Sequence, residues 1–70
     1  MTYREAARKL RSLGCLERPR RGGGSHRKRF NPANGRSTVL PDHGSKDLKQ
    51  ATLRAAVSQL GLDWQAFLDA

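Results

Sequence analysis

The sequence predicts a small α+β domain: a helix, three antiparallel strands, a second helix and a short terminal helix. Two apolar stripes at helical spacing, one near each end of the chain, flank a middle stretch of short β-prone runs punctuated by Gly, Pro and Asn. Seventy residues hold one such domain, spanning 1–70, and no more.

Each element can be justified in turn. Thr2 stands three residues before Glu5, the spacing of a capping box, in which the hydroxyl caps the amide of residue 5 and the carboxylate reaches back. Tyr3, Ala6, Ala7, Leu10 and Leu13 then form one apolar face, with Arg4, Arg8, Lys9 and Arg11 on the remaining surface. Gly14 sits where a left-handed cap ends a helix. Cys15 to Arg21 is extended in character, and Pro19, lacking an N–H, makes it an edge strand or cuts it short. Gly22-Gly23-Gly24 forms a turn, and His26 to Asn31 is the second strand. Asn31-Pro32-Ala33-Asn34-Gly35 reads as a hairpin loop, with Asn34 and Gly35 supplying positive φ. Arg36 to Pro41 is the third strand, centred on Thr38, Val39 and Leu40. After a turn from Asp42 to Lys46, the second helix runs from about Lys49 to Leu60 on an apolar face of Leu53, Ala56, Val57 and Leu60. Gly61 ends it, and Asp63 caps a last short helix whose Trp64, Phe67 and Leu68 fold back on the core. Two helices on one face of such a sheet make the α-β-β-β-α sandwich of double-stranded-RNA-binding domains.

Charge narrows the function. Residues 1–30 carry ten Lys and Arg against two Glu, and residues 31–70 carry four against four Asp, so the whole net charge of +8 lies in the first half. A surplus this local makes a positive field on one side of a small domain. It points to a phosphate polyanion ahead of an acidic protein or a membrane surface. A chain of this size buries only about 60% of the surface its unfolded form exposes. Chemistry on it therefore belongs on an open face, with a large substrate and no cofactor. One cysteine, Cys15, makes no internal disulfide, and two histidines without a thiolate or carboxylate pattern make no metal site. No apolar run approaches the ~20 residues of a membrane span, and no apolar signal segment follows Met1. These features fit a soluble protein of the cytoplasm.

An ordered set of motifs resembles the HicA-type toxins, the mRNA interferases of HicAB toxin–antitoxin systems. It begins with Thr2-x-x-Glu5 opening a helix that ends at Leu13-Gly14. Gly24-Ser25-His26, Asn31-Pro32 and Asn34-Gly35 follow. Leu40-Pro41-Asp42-His43-Gly44 matches a Val-Pro-x-His-Gly pattern, and Leu48, Thr52-Leu53-Arg54, Leu60-Gly61-Leu62 and Phe67-Leu68 complete the set. The resemblance implies a dsRBD-like fold, RNA cleavage by the motif histidine, here His26, and inhibition by a HicB-type antitoxin; the free protein is expected to be monomeric. Cys15-Leu16 stands where the family usually has an aromatic after the helix-ending glycine. The family's strand aromatic commonly falls three residues after the histidine, whereas Phe30 falls four after His26. That shift sends the ring to the other side of the sheet unless a bulge absorbs it.

Metal-free RNA cleavage needs a base for the ribose 2′-OH, cations for the charge gathering on phosphate oxygens, and an acid for the leaving 5′-oxygen. His26 suits the first role, because an unperturbed imidazole titrates near 6.5. Its plain alternative, a solvated histidine in a basic loop, is outweighed by the Gly-Ser-His context. Arg20, Arg21, Arg27, Lys28 and Arg29 are the expected RNA-backbone contacts, joined in sequence by Arg18, and Ser25 the group that orients phosphate or loop. His43 is a secondary candidate for the acid, set against a turn-fixing role. Alternatives to the nuclease are a non-catalytic RNA-binding module, an inactive toxin homologue of the same fold, and a DNA-binding or ribosomal accessory protein.

Overall fold

A computed structural model of the chain describes residues 1–18 and 26–70. The expected Gly22-Gly23-Gly24 turn, and the predicted extended segment from Pro19 to Arg21, lie outside the described residues. The element order is α1 (Tyr3–Ser12), β1 (Leu16–Arg18), β2 (His26–Asn31), β3 (Arg36–Pro41), α2 (Gln50–Gln59) and α3 (Trp64–Asp69). The strands form one antiparallel sheet in the order β1-β2-β3. This is the α+β architecture the sequence predicts.

Local chemistry sets the ends of α1. Thr2 Oγ1 accepts from the Glu5 amide at 3.3 Å while Glu5 Oε1 accepts from the Thr2 amide at 3.2 Å, so the capping box is complete. At the other end Gly14 takes a φ of 90°. The Cys15 amide then donates to Leu10 O at 2.9 Å and the Gly14 amide to Arg11 O at 3.0 Å, the paired bonds of a Schellman stop. That reversal delivers Cys15 into the core and starts β1 one residue later.

The core lies between the sheet and the helices. Leu10, Cys15, Leu40, Val57, Leu60 and Phe67 are fully buried, with Tyr3, Ala6, Leu48, Leu53 and Ala56 around them. Helix α2 packs against β3, and α3 closes against both α1 and α2. Trp64 stacks on Phe67 with ring centroids 5.5 Å apart, and Arg54 lies over the indole at 4.6 Å, so both aromatics serve packing. Lys9 Nζ donates to Leu68 O at 2.7 Å and to Ala70 O at 2.9 Å, fastening the end of α3 to α1. No helix among the described residues is long and apolar enough to cross a membrane.

The β2–β3 loop differs from the expected hairpin in one respect. Gly35 alone takes a positive φ, 75°, and Asn34 does not. Asn34 instead spends its side chain on both ends of the loop: Oδ1 accepts from the Arg36 amide at 2.9 Å and Nδ2 donates to Leu60 O at 3.0 Å. Asn31, 4% exposed, donates to the same Leu60 carbonyl at 2.8 Å and accepts from the Ala33 amide at 3.1 Å. The hairpin is thus bonded to the C-terminal end of α2, which fixes sheet and helix relative to each other. Asn31→Ala is expected to cost about 1–3 kcal/mol of stability through the lost buried bonds. Urea denaturation should show a lower midpoint with an unchanged slope. An unchanged midpoint would mean that Asn34 alone satisfies the carbonyl.

Candidate functional site

Strand alternation sorts the basic run His26-Arg27-Lys28-Arg29 into two groups. His26, Lys28 and Phe30 point away from the helices, whereas Arg27, Arg29 and Asn31 point toward them, as their alternating exposure shows. Pairing between β2 and β3 runs without interruption from His26↔Pro41 to Asn31↔Arg36. No bulge resets the alternation, so Phe30 shares a face with His26. Arg29 takes the inward position three residues after the histidine. The outer face of the sheet therefore holds Leu16 and Arg18 of β1, His26, Lys28 and Phe30 of β2, and Val39 of β3.

The inward arginines are engaged with the protein itself. Arg27 places Nη1 3.6 Å from Glu17 Oε2 and Nη2 3.4 Å from Asp42 Oδ2. Glu17 in turn accepts from the Tyr3 hydroxyl at 2.5 Å. Arg29 is 7% exposed, donates to Cys15 O at 3.5 Å and lies 5.9 Å above the Tyr3 ring. Burial raises the Tyr3 pKa above its ordinary value and the bond to Glu17 adds to the rise, with Arg29 opposing both. Burial likewise pushes the Cys15 thiol up, against the pull of Arg29, so Cys15 behaves as a small apolar core residue. Tyr3, Glu17, Arg27 and Asp42 line an open groove of about 580 Å³ together with Thr2, Arg4 and Ser45.

Of the sequence-predicted site residues, His26 and Lys28 are exposed together on the outer face. Arg27 and Arg29 occupy the opposite side, where carboxylates and backbone hold them. Arg20, Arg21 and Ser25 lie outside the described residues. His43 is exposed in the turn after β3, two residues beyond the Pro41 that pairs with His26, so both histidines belong to the same end of the sheet. Its carbonyl accepts from the Lys46 amide at 3.3 Å, and Asp42 Oδ1 accepts from the Gly44 amide at 3.0 Å, which shapes that turn. Phe30 is a residue of this face that the motifs alone do not single out. A period-two count from His26 was the signal that could have found it.

The family described as the HicA toxin of bacterial toxin–antitoxin matches this chain over residues 3–62. The chain belongs to the HicA toxin family. Similar over 62 residues, at 42% identity, is a probable mRNA interferase HicA of Pseudomonas fluorescens (strain Pf0-1), the match covering 89% of this chain and 97% of that protein. No solved structure matches. The match to the HicA family begins at Tyr3, the residue that joins α1 to β1 through Glu17, and takes in the whole sheet.

Tyr3 gives that joint a pH dependence. Its pKa is higher folded than unfolded, so the folded chain keeps a proton that the unfolded chain releases. Its contribution is fully present below the unfolded value near 10 and is lost as pH rises through the folded one. Tyr3→Phe is expected to lower stability by about 1 kcal/mol at pH 7 and to make the alkaline fall shallower. Thermal melts of both proteins between pH 7 and 11 check this, and parallel alkaline falls would remove Tyr3 as a cause.

Proposed function

We propose that this HicA-family toxin is an endoribonuclease that cuts mRNA through His26, without a metal, and is neutralised by a HicB-type antitoxin. The observation that carries the reading is the placement of His26. It is exposed at the first position of β2, on the sheet face that no helix covers, two residues from the exposed cation Lys28. The name of the Pseudomonas relative supports RNA as the substrate. An mRNA can approach such a face from solvent, which a buried histidine would forbid.

The chemistry asks little of the protein. The neutral imidazole of His26 takes the proton from a ribose 2′-OH, and the oxygen so freed attacks the adjacent phosphorus. The bond from phosphorus to the 5′-oxygen breaks, leaving a 2′,3′-cyclic phosphate on one fragment. The departing 5′-oxygen takes up a proton and becomes a hydroxyl on the other. His43 is positioned by the β2–β3 register at the same end of the sheet and is the candidate donor of that proton. Lys28, with Arg20 and Arg21 of the adjoining segment, balances charge on the phosphate oxygens, and Ser25 orients the phosphate. Arg27 and Arg29 act differently from their neighbours: their ion pairs and buried bonds hold β2 against β1 and α1, which positions His26.

A single general base contributes about 10²–10⁴-fold. In EDTA, His26→Ala is expected to lower the rate of cutting of a labelled mRNA by about that factor while RNA affinity persists. Equal cutting by both proteins would move the base elsewhere, with His43→Ala the next comparison. Binding without cutting by the wild type would leave a binding module.

A further inference from the structure

We infer that the outer face of the sheet is a platform for single-stranded RNA, in which the stacked pair Arg18–Phe30 holds a base and Lys28 holds the phosphate between that base and His26. The inference rests on the nuclease reading for the direction it gives the strand, and it identifies which residues hold the substrate.

Three observations carry it. First, the guanidinium carbon of Arg18 lies 4.1 Å from the centroid of the Phe30 ring. An exposed arginine over an aromatic ring combines a planar cation with a π-face, both of which nucleobases stack on. Leu16, 53% exposed, sits directly across from Phe30, and Val39, 54% exposed, sits across from Lys28. These apolar side chains border the stack with nothing from the helix layer covering them.

Second, Arg18 and Lys28 are direct cross-strand partners. Like charges in that position destabilise a sheet. None of the six Asp and Glu side chains relieves them: Glu17 faces the helices, Glu5 and Asp69 belong to α1 and α3, Asp63 caps α3, and Asp42 and Asp47 lie in the segment after β3. A phosphate placed between the two cations removes the repulsion. The face is thus complementary to a polyanion and poor for an apolar partner.

Third, the spacing fits. His26, Lys28 and Phe30 form a single row along β2, each about 7 Å from the next. That step matches the distance between successive phosphates of an extended single strand. A nucleic acid laid along the row brings one phosphate to Lys28 and a base to Phe30 when its scissile phosphate is at His26. Duplex RNA cannot use the platform, because its bases are stacked on one another.

The test is equilibrium binding of a fluorescein-labelled ten-nucleotide single-stranded RNA to the His26→Ala protein, in that background alone and with Phe30→Leu, Arg18→Gln or Lys28→Gln added. Phe30→Leu keeps the apolar volume and removes the π-face, and is expected to weaken binding about ten-fold with an unchanged salt slope. Lys28→Gln is expected to lower the slope of log affinity against log salt by about 0.7, the value of one phosphate contact on a single strand. Photocrosslinking with 5-iodouridine at successive positions is expected to join RNA to Phe30 of the His26→Ala protein, a readout independent of whether the added substitutions disturb folding. Unchanged affinity in both Phe30→Leu and Arg18→Gln, together with no crosslink at Phe30, overturns the platform and leaves the face to a protein partner. Equal losses for single-stranded and duplex RNA also overturn it, because stacking requires free bases. Failure of the wild type to cut mRNA sinks the nuclease reading alone, since these affinities do not depend on cleavage.

Discussion

Strand β2 has a helix layer on one side and water on the other, and nearly every property of this chain follows from the alternation that this imposes. Six consecutive residues, His26 to Asn31, carry four cationizable side chains and cannot all be solvated at once. The pleat sends every second one inward. The three that go outward, His26, Lys28 and Phe30, lie on the face away from the helices. The three that go inward, Arg27, Arg29 and Asn31, hold the domain together. A shift of register by one residue would exchange the two sets. The register is held by the Asn31 and Asn34 bonds to Leu60 at one end of the hairpin, and by the Arg27 pairs at the other.

Placing arginines toward a helix layer explains residues that otherwise look incidental. A desolvated guanidinium requires hydrogen-bonding partners or opposite charge. Glu17 and Asp42 supply charge to Arg27, while the Cys15 carbonyl and the face of Tyr3 receive Arg29. Each partner comes from a different element: α1, the α1–β1 connection, β1 and the segment after β3. The polar cluster therefore ties together the parts of the sheet edge that α2, packed on β3, does not reach. Arginine suits the task better than lysine, since one planar fork can address two carboxylates at once. Removal of one partner leaves a charge stranded, so these interactions specify geometry more than they add stability.

Much of this was legible in the sequence. The capping box, the Gly14 stop, the apolar stripes of both long helices and the bounds of β2 and β3 are local signals, and local chemistry realises them. Of the candidate site residues, the sequence singles out both histidines, and the β2–β3 register brings them to one end of the sheet. The division of the basic run was not legible, because its four neighbouring basic residues look alike in composition, and only pairing to β1 and β3 fixes which face each takes. Asn34 is a similar case. An Asn-Gly pair signals positive φ, yet the carbonyl left at the end of α2 competes for its side chain, and the tertiary bond prevails. The aromatic displaced to position 30 was noticed, but its consequence depended on the absence of a bulge, which no local pattern encodes.

A cationic face on a domain this small also couples binding to folding. Seventy residues leave a thin core, and eight uncompensated charges oppose compaction. Cross-strand Arg18 and Lys28 concentrate that strain on the outer face, opposite the helices. A polyanion that binds there stabilises the folded chain twice over. It relieves the repulsion, and it draws the equilibrium toward the native state by mass action. The inner cluster differs in that its arginines already have partners within the protein, carboxylates for Arg27 and the Cys15 carbonyl with the Tyr3 ring for Arg29. The two faces of one sheet thus separate the requirements: the inward cations are tied to the fold by partners within the protein, and on the proposed reading the outward ones are left for phosphate to complete.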